Sequence, residues 1–460
     1  MECYYQILPE LVYKDWESIE ELLRIKIPNF SSDYLRQVIS VVACNSRKVE
    51  DPSLRIVYLR RLVPYAERYL IGLDKIGVIK RSPYYIPGEI SYRYNITPKY
   101  QSRYIHVPLY NAKLIRRIHK AYYLTEKEAL KNLQGCAYQV KYLRQLTFAK
   151  GWREFVETYK DNPNQYNSIL ASAVRIVNKD FFFSRDETER RFHSNITNMK
   201  KKLRKYLRIN GKPLTTLDIK NSQPFLSTII LSNPSKVAGL AKTTTLSMLL
   251  ETLQVSKNDD VNKYIKLVVD GQFYEYLMIE FAREGIVLDR KNTKLQVFRI
   301  LFSPNRLPKN EINRKCRLIF KNSFPTVHRI FSKVRGRDSG TRFDNSNRFA
   351  ILLATIESYL VIDVILKRVH KELPRTIALT IHDSIMTGIL TDDVEAVRKI
   401  MNEELTYFIG YTPRIEIERN YKEEKIKTNE YIENNKKNEQ DYFHSISLIQ
   451  YDVTTSISTG

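Results

Sequence analysis

Two apolar, β-rich runs constrain this chain more than anything else in it, because each is interrupted by one aspartate where a strand would end. The first is LTTLDIKNSQPFLSTIIL, Leu214 to Leu231, with Asp218 closing a short alternating run. Its opening residues read as a strand, and the Ile/Leu/Phe-rich segment after Pro224 reads as a buried helix. The second is TIALTIHDSIMTGIL, about 165 residues downstream, where His382, Asp383 and Ser384 interrupt apolar residues on both sides. That pattern reads as a hairpin with its turn at the polar triplet. A lone strand-end aspartate is most often a helix cap or a turn former. Two strands that each offer one carboxylate can instead hold a pair of divalent cations, an arrangement suited to phosphoryl transfer.

Between these runs lies RKNTKLQVFRILF, in which Arg290, Lys294, Phe298 and Phe302 recur at every fourth position. Residues four apart share one face of a helix, so this face offers two cations and then two rings. Cations suit a triphosphate and rings suit a stacked base. The same spacing also describes an amphipathic helix with both rings in a core and both cations in water. Its place between the two aspartate motifs is what favours the functional reading.

In this order the stretches resemble the family A DNA polymerases and the related single-subunit phage-type RNA polymerases. LDIKNSQPFL around Asp218 resembles their first palm motif, IHDSI around Asp383 their His-Asp motif, and the Arg290–Phe302 stretch their fingers helix. Further likeness extends over roughly residues 184 to 422. SRDETERRFHSNITNMKKKLRKYL resembles the segment before the first motif, with Arg191 where an arginine meets the primer-template minor groove. DGQFYEYL and FKNSFPTVHRIF resemble the segments before and after the fingers helix, and TDDVEAVRKIMNEEL with PRIEIE falls where the palm closes.

The resemblance implies an α+β right-hand fold, an antiparallel palm sheet with helical fingers and thumb. Palm and fingers would occupy 181–422 and a helical thumb 106–180. It implies two Mg²⁺ ions, or Mn²⁺, held by Asp218, Asp383 and the main-chain carbonyl of Ile219. Arg290 and Lys294 would meet the phosphates, Phe298 and Phe302 the base or sugar, and Gln223 the ribose. Arg191 would hold the duplex and His382 would face the primer end. The implied partners are a DNA primer-template and nucleoside triphosphates, with replication or mobile-element proteins beside them. No Asp-x-Glu pair at the head of a strand marks a proofreading exonuclease, and the small size suits a phage, plasmid or other mobile element.

Three departures bear on the product. Gln223 stands where the DNA polymerases usually carry a glutamate that excludes a ribose 2′-hydroxyl. Ser384 follows the second aspartate, as in the phage-type RNA polymerases, and Phe302 replaces the usual tyrosine. Phe298 and the FPTV segment are closer to the DNA polymerases. A DNA polymerase is therefore the first expectation, a single-subunit RNA polymerase or primase-like enzyme the second, and a non-catalytic DNA-binding protein on a palm scaffold the third.

Composition is consistent with a polyphosphate partner. Seventy-five Lys and Arg against 51 Asp and Glu give a net charge of +24 and a pI near 9.6. A basic chain can also bind anionic membranes, but no apolar run near 18 residues and no amphipathic anchor is read in the sequence, so no membrane partner is expected. MECYYQILPELVYKDWESIEE has neither the basic nor the apolar region of a signal peptide. Cys3, Cys44, Cys136 and Cys316 are scattered without metal-ligand spacing, which fits a reduced, cytoplasmic setting.

Residues 1–105 read as a separate module of two or three helices followed by a basic two-stranded wing around a Pro/Gly turn. The pattern resembles a winged helix, with Arg81, Arg93 and Lys99 as phosphate contacts. A helical cap with a hairpin has the same pattern. From 423 the chain turns polar and charged, a tail with little to bury.

Overall fold

The computed structural model describes residues 4–45, 56–83, 92–133, 135–240, 258–335 and 348–419. The polar tail from 423 and the Pro/Gly turn of the N-terminal wing lie outside them. The fold is mixed α+β, with several small antiparallel sheets among many helices.

The central sheet has four antiparallel strands in the spatial order Ala378–Ile381, Ser384–Thr387, Thr215–Ile219, Ile415–Arg419. Alternation sets its two faces. Leu217, Ile219, Ile385 and Ala378 point to one side, into a core built by the helices that follow in sequence. Leu379, Ile381 and Met386 point to the other side, into a second core that draws on residues from Tyr4 to Leu214. That second core takes residues from both sides of positions 105 and 180, and the described residues belong to one compact unit. Asp218 pairs with Ser384 on one neighbour and with Glu416 on the other, so it lies on the Met386 face, at the open end of the sheet.

The helix Ser222–Ser232 follows the Asp218 strand directly, after a left-handed Asn221 (φ 56°) turns the chain. Pro224 through Leu231 are all buried, as an apolar helix enclosed on every side must be. The helix Arg290–Phe302 coincides with the cation-and-ring stretch. Its core face is Thr293, Gln296, Val297, Ile300 and Leu301, while Phe298 and Phe302 are only half-buried. The helix Thr391–Ile409 is closed by Gly410 at φ 95°, the left-handed geometry of a helix C-terminus, and delivers the chain to the strand Ile415–Arg419.

One expectation is corrected. Arg348–Glu372 is a continuous helix, π-helical from Tyr359 to Leu366, and it is long and apolar enough to cross a membrane by length and composition. The sequence reads Phe349 to Val369 as a long apolar helix leading into the His-Asp hairpin, but not as a run long enough to span a membrane, and it carries two acids, Glu357 and Asp363. In the fold both are neutralised locally, Glu357 by Arg191 and Asp363 by Arg185 and Arg190, and the helix is mostly buried behind the central sheet.

In the N-terminal part, the strands Tyr4–Pro9 and Tyr104–Leu109 pair, and the hairpin Ile79–Arg81 with Tyr94–Ile96 follows the helix Ala66–Lys75.

Candidate active site

Asp218 and Asp383 arrive from opposite directions. Asp218 is the fourth residue of a five-residue strand whose main chain continues into a hydrogen bond from the Lys220 amide to the Arg414 carbonyl (2.9 Å). Asp383 is the second residue of the two-residue turn joining the hairpin strands, and the first, His382, is left-handed at φ 54°. A left-handed non-glycine residue costs on the order of 1 kcal/mol, which the flanking strands must hold in place. Ser384, the position of the second family departure, is buried and donates its hydroxyl to the Ile381 carbonyl at 2.8 Å. It locks the turn from within.

The register sets Asp218 opposite Ser384, so the two aspartates occupy adjoining strand ends. Electrostatics record that proximity. The Asp218 carboxyl is pushed up to about 6, first by burial and then by the Asp383 charge, with Lys201 and Lys294 opposing. Neither carboxylate takes a hydrogen bond or an ion pair among the described residues. The cations nearby are engaged elsewhere: Lys201 with Glu418 at 2.7 Å and Lys220 with Glu416 at 3.5 Å.

A third acidic residue, Glu357, lies in the same neighbourhood. Glu357, in the middle of the long apolar helix, is 2% exposed and is pushed up to about 7, chiefly by burial, with the Arg191 cation opposing and the Asp383 charge adding to it. Arg191 reaches its Oε1 from Nη2 at 3.1 Å and from Nε at 3.2 Å, and Gln223 donates to its Oε2 at 2.6 Å. Glu357 thereby ties two sequence-predicted residues together. Desolvation and the Arg191 cation also depress the His382 imidazole below its ordinary value, against Asp383, which places that ring in the same neighbourhood.

On the helix Arg290–Phe302, Lys294 sits over the Phe298 ring at 5.5 Å and contributes to the field at Asp218. Phe298 and Phe302 lie 5.9 Å apart, and Phe302 reaches Phe349 at 6.2 Å. Arg290, one turn earlier, pairs with Glu275 at 2.8 Å and covers the Tyr274 ring at 5.3 Å. The structure thus assembles Asp218, Asp383, His382, Arg191, Gln223 and Lys294, with Phe298 beside them. Ile219 turns its side chain into the core, leaving only its main-chain carbonyl to take part.

Arg81, Arg93 and Lys99 are not brought there. They lie on and beside the N-terminal hairpin, Arg81 over Tyr92 at 4.8 Å and Lys99 over Tyr100 at 4.7 Å. None of them enters the field around Asp218.

No protein-family model matches this chain, and no curated protein matches it. Among solved structures it is similar to the POL domain of Pol1 from M. smegmatis, a complex with DNA primer-template and dNTP, at a TM-score of 0.38 and 11% identity. The match covers 58% of this chain and 55% of that one, so the chain spans about half the length of that neighbour. The likeness is too loose to assign a family.

Sequence reading missed Glu357, Glu416, Lys201 and Arg204, the last a cation that donates to the Met199 and Thr197 carbonyls and acts on the His382 imidazole. Glu357 was detectable as a carboxylate inside FAILLATIESYLVI, since a charge in a buried helix demands a partner. Glu416 was detectable from the alternation in IEIE, given a strand beside Asp218. Lys201 and Arg204 sit on a four-residue helix and gave no pattern to read.

Proposed function

We propose that this chain is a template-directed nucleic-acid polymerase, most simply a DNA-directed DNA polymerase, that extends a 3′-hydroxyl with nucleoside triphosphates. The observation that carries this reading is the meeting of Asp218 and Asp383 from strands about 165 residues apart, close enough that one raises the other's pKa, with no cation between them.

Two facing carboxylates without a partner are the donor chemistry that Mg²⁺ fits. Among the described residues no cluster of three or more His, Cys, Asp or Glu is placed to hold a metal. The Ile219 carbonyl, water and substrate phosphates would therefore complete the coordination. Bound Mg²⁺ would acidify the primer hydroxyl and neutralise the phosphates as pyrophosphate leaves. Lys294, projecting from its helix toward the same carboxylates, would bind the triphosphate and balance charge that grows on it. Phe298 would give the base a face to stack on. Arg191 would lie along the duplex, held by Glu357, and His382 would meet the primer end.

Gln223 supports a second reading. Residue 223 carries no charge of its own, and its amide donates to Glu357 at 2.6 Å, so contact with the sugar here differs from that of a polymerase with a glutamate at this position. A ribonucleotide-incorporating polymerase uses the same carboxylates. Primer extension with Mg²⁺ on a DNA template, with deoxynucleotides and ribonucleotides in parallel, separates the two. Extension by deoxynucleotides supports the first reading, and extension by ribonucleotides alone supports the second. Absence of both, with DNA still bound, would leave a DNA-binding scaffold.

A further inference from the structure

Behind the helix Arg290–Phe302, between its C-terminal end and the helix Glu311–Ser323, lies a cavity of about 340 Å³. Its charged lining is entirely basic: Arg299, Arg306, Lys309 and Arg317, set among Pro304 and Leu307. Arg317 is 3% exposed. Its Nη1 donates to the carbonyls of Pro304 (2.6 Å) and Arg306 (3.0 Å), while its Nη2 is buried with no hydrogen-bond partner. Arg335, 1% exposed, braces the same loop by donating to the carbonyls of Ser303 (2.9 Å) and Ile300 (3.0 Å), and its Nε is also unpartnered.

A guanidinium cannot shed its proton to escape burial, and a buried charge left without a counter-charge costs several kcal/mol. Among the described residues no carboxylate pairs with Arg317 or Arg335. The two loop-bracing arginines explain why residues 303–310 hold their shape. They do not explain why Arg317 Nη2, enclosed by the protein, is left unsatisfied next to a cavity that Arg299, Arg306 and Lys309 also line. Burial pushes Arg335 down to about 9, with Arg317 adding repulsion, the direction expected where positive charge lacks an anion.

We propose that this cavity is a phosphate-binding site, distinct from the paired carboxylates, in which the exposed cations Arg299, Arg306 and Lys309 meet the phosphate group and the buried Arg317 cation behind them adds to the positive field. Planar guanidiniums match phosphate oxygens, and the volume is at the lower end of small-ligand sites, enough for a phosphate and the group that carries it. The site does not depend on the polymerase reading.

The test is a titration of the full chain with inorganic phosphate at constant ionic strength, followed by thermal melting. A saturable rise in Tm is expected for the wild type and for a charge-matched control on a remote helix, K113Q/K120Q. The rim variant R299Q/K309Q, which leaves the buried arginines in place, should weaken binding by about tenfold or more. D383A should bind phosphate as the wild type does, which separates this site from the carboxylate pair. A 5′-phosphorylated tetrathymidylate in place of phosphate distinguishes the source: tighter binding that is lost in the rim variant identifies a nucleic-acid strand, and equal binding identifies a free phosphate. No saturable rise in the wild type, or the same rise in the rim variant, would overturn the proposal.

Discussion

At the scale of single residues, two carboxyl groups of the site, Asp218 and Glu357, are held away from their ordinary ionisation. Asp218 is pushed to about 6 by burial and by Asp383, so removing the second charge should bring it back toward the usual carboxylate range. Carbon-13 NMR of the Asp218 carboxyl in metal-free D383N should show a lower pKa than in the wild type, and an unchanged value would mean that the two groups do not interact. Glu357 makes a different prediction. Truncating it leaves Arg191 with its Glu189 ion pair alone (2.8 Å) and the Gln223 amide without its acceptor, so E357A should lose about 2 kcal/mol in urea unfolding, whereas E357Q, whose amide oxygen still accepts from Arg191 and whose amide nitrogen donates to a Gln223 side chain turned to present its oxygen, should lose under about 1 kcal/mol. Equal losses from the two variants would show that the carboxylate does not organise these side chains.

At the scale of elements, period and spacing decide what can be read in advance. The strand ending at Asp218, the hairpin around Asp383 and the helix carrying Arg290 to Phe302 were legible because alternation and four-residue recurrence are local. Their partners were not. Glu357 reaches Arg191 across 166 residues and Gln223 across 134, contacts set by packing rather than by any local pattern. The apolar helix Arg348–Glu372 was legible as a long apolar helical pattern from Phe349 to Val369, but the arginines that pair with its two acids were not. The ring-bearing helix combines both cases. Lys294 faces the site, so K294A should raise KM for the incoming nucleotide and cut kcat/KM by about 10- to 100-fold, as seen in steady-state extension. Phe302 instead packs on Phe298 and Phe349, and F302A should lower unfolding stability by about 2 kcal/mol, less than a fully buried phenylalanine would. A loss confined to catalysis, with stability unchanged, would reassign that ring to the nucleotide.

At the scale of the whole molecule, two cores share one sheet, and the sheet's open end presents carboxylates gathered from distant parts of the chain. Three of the acids that the fold encloses are pushed up: Asp218 to about 6, and Asp180 and Glu357 to about 7. Each binds a proton more tightly folded than unfolded, so its stabilising contribution is complete below about pH 4 and is lost as pH rises through its folded pKa. The metal-free protein should therefore lose stability between pH 4 and 7, and D180N, which removes a carboxylate buried against Tyr4, should flatten that loss. Mg²⁺ should restore part of the Asp218 share at pH 7 and nothing in D383A. The most direct test of the central claim, that Asp218 and Asp383 form one metal-dependent catalytic centre, is the single-turnover rate of primer extension by the wild type and D383A at matched DNA occupancy. The account predicts a loss of about a thousandfold, roughly 4 kcal/mol in the barrier, with folding and DNA binding intact. A D383A rate within about tenfold of the wild type would contradict it.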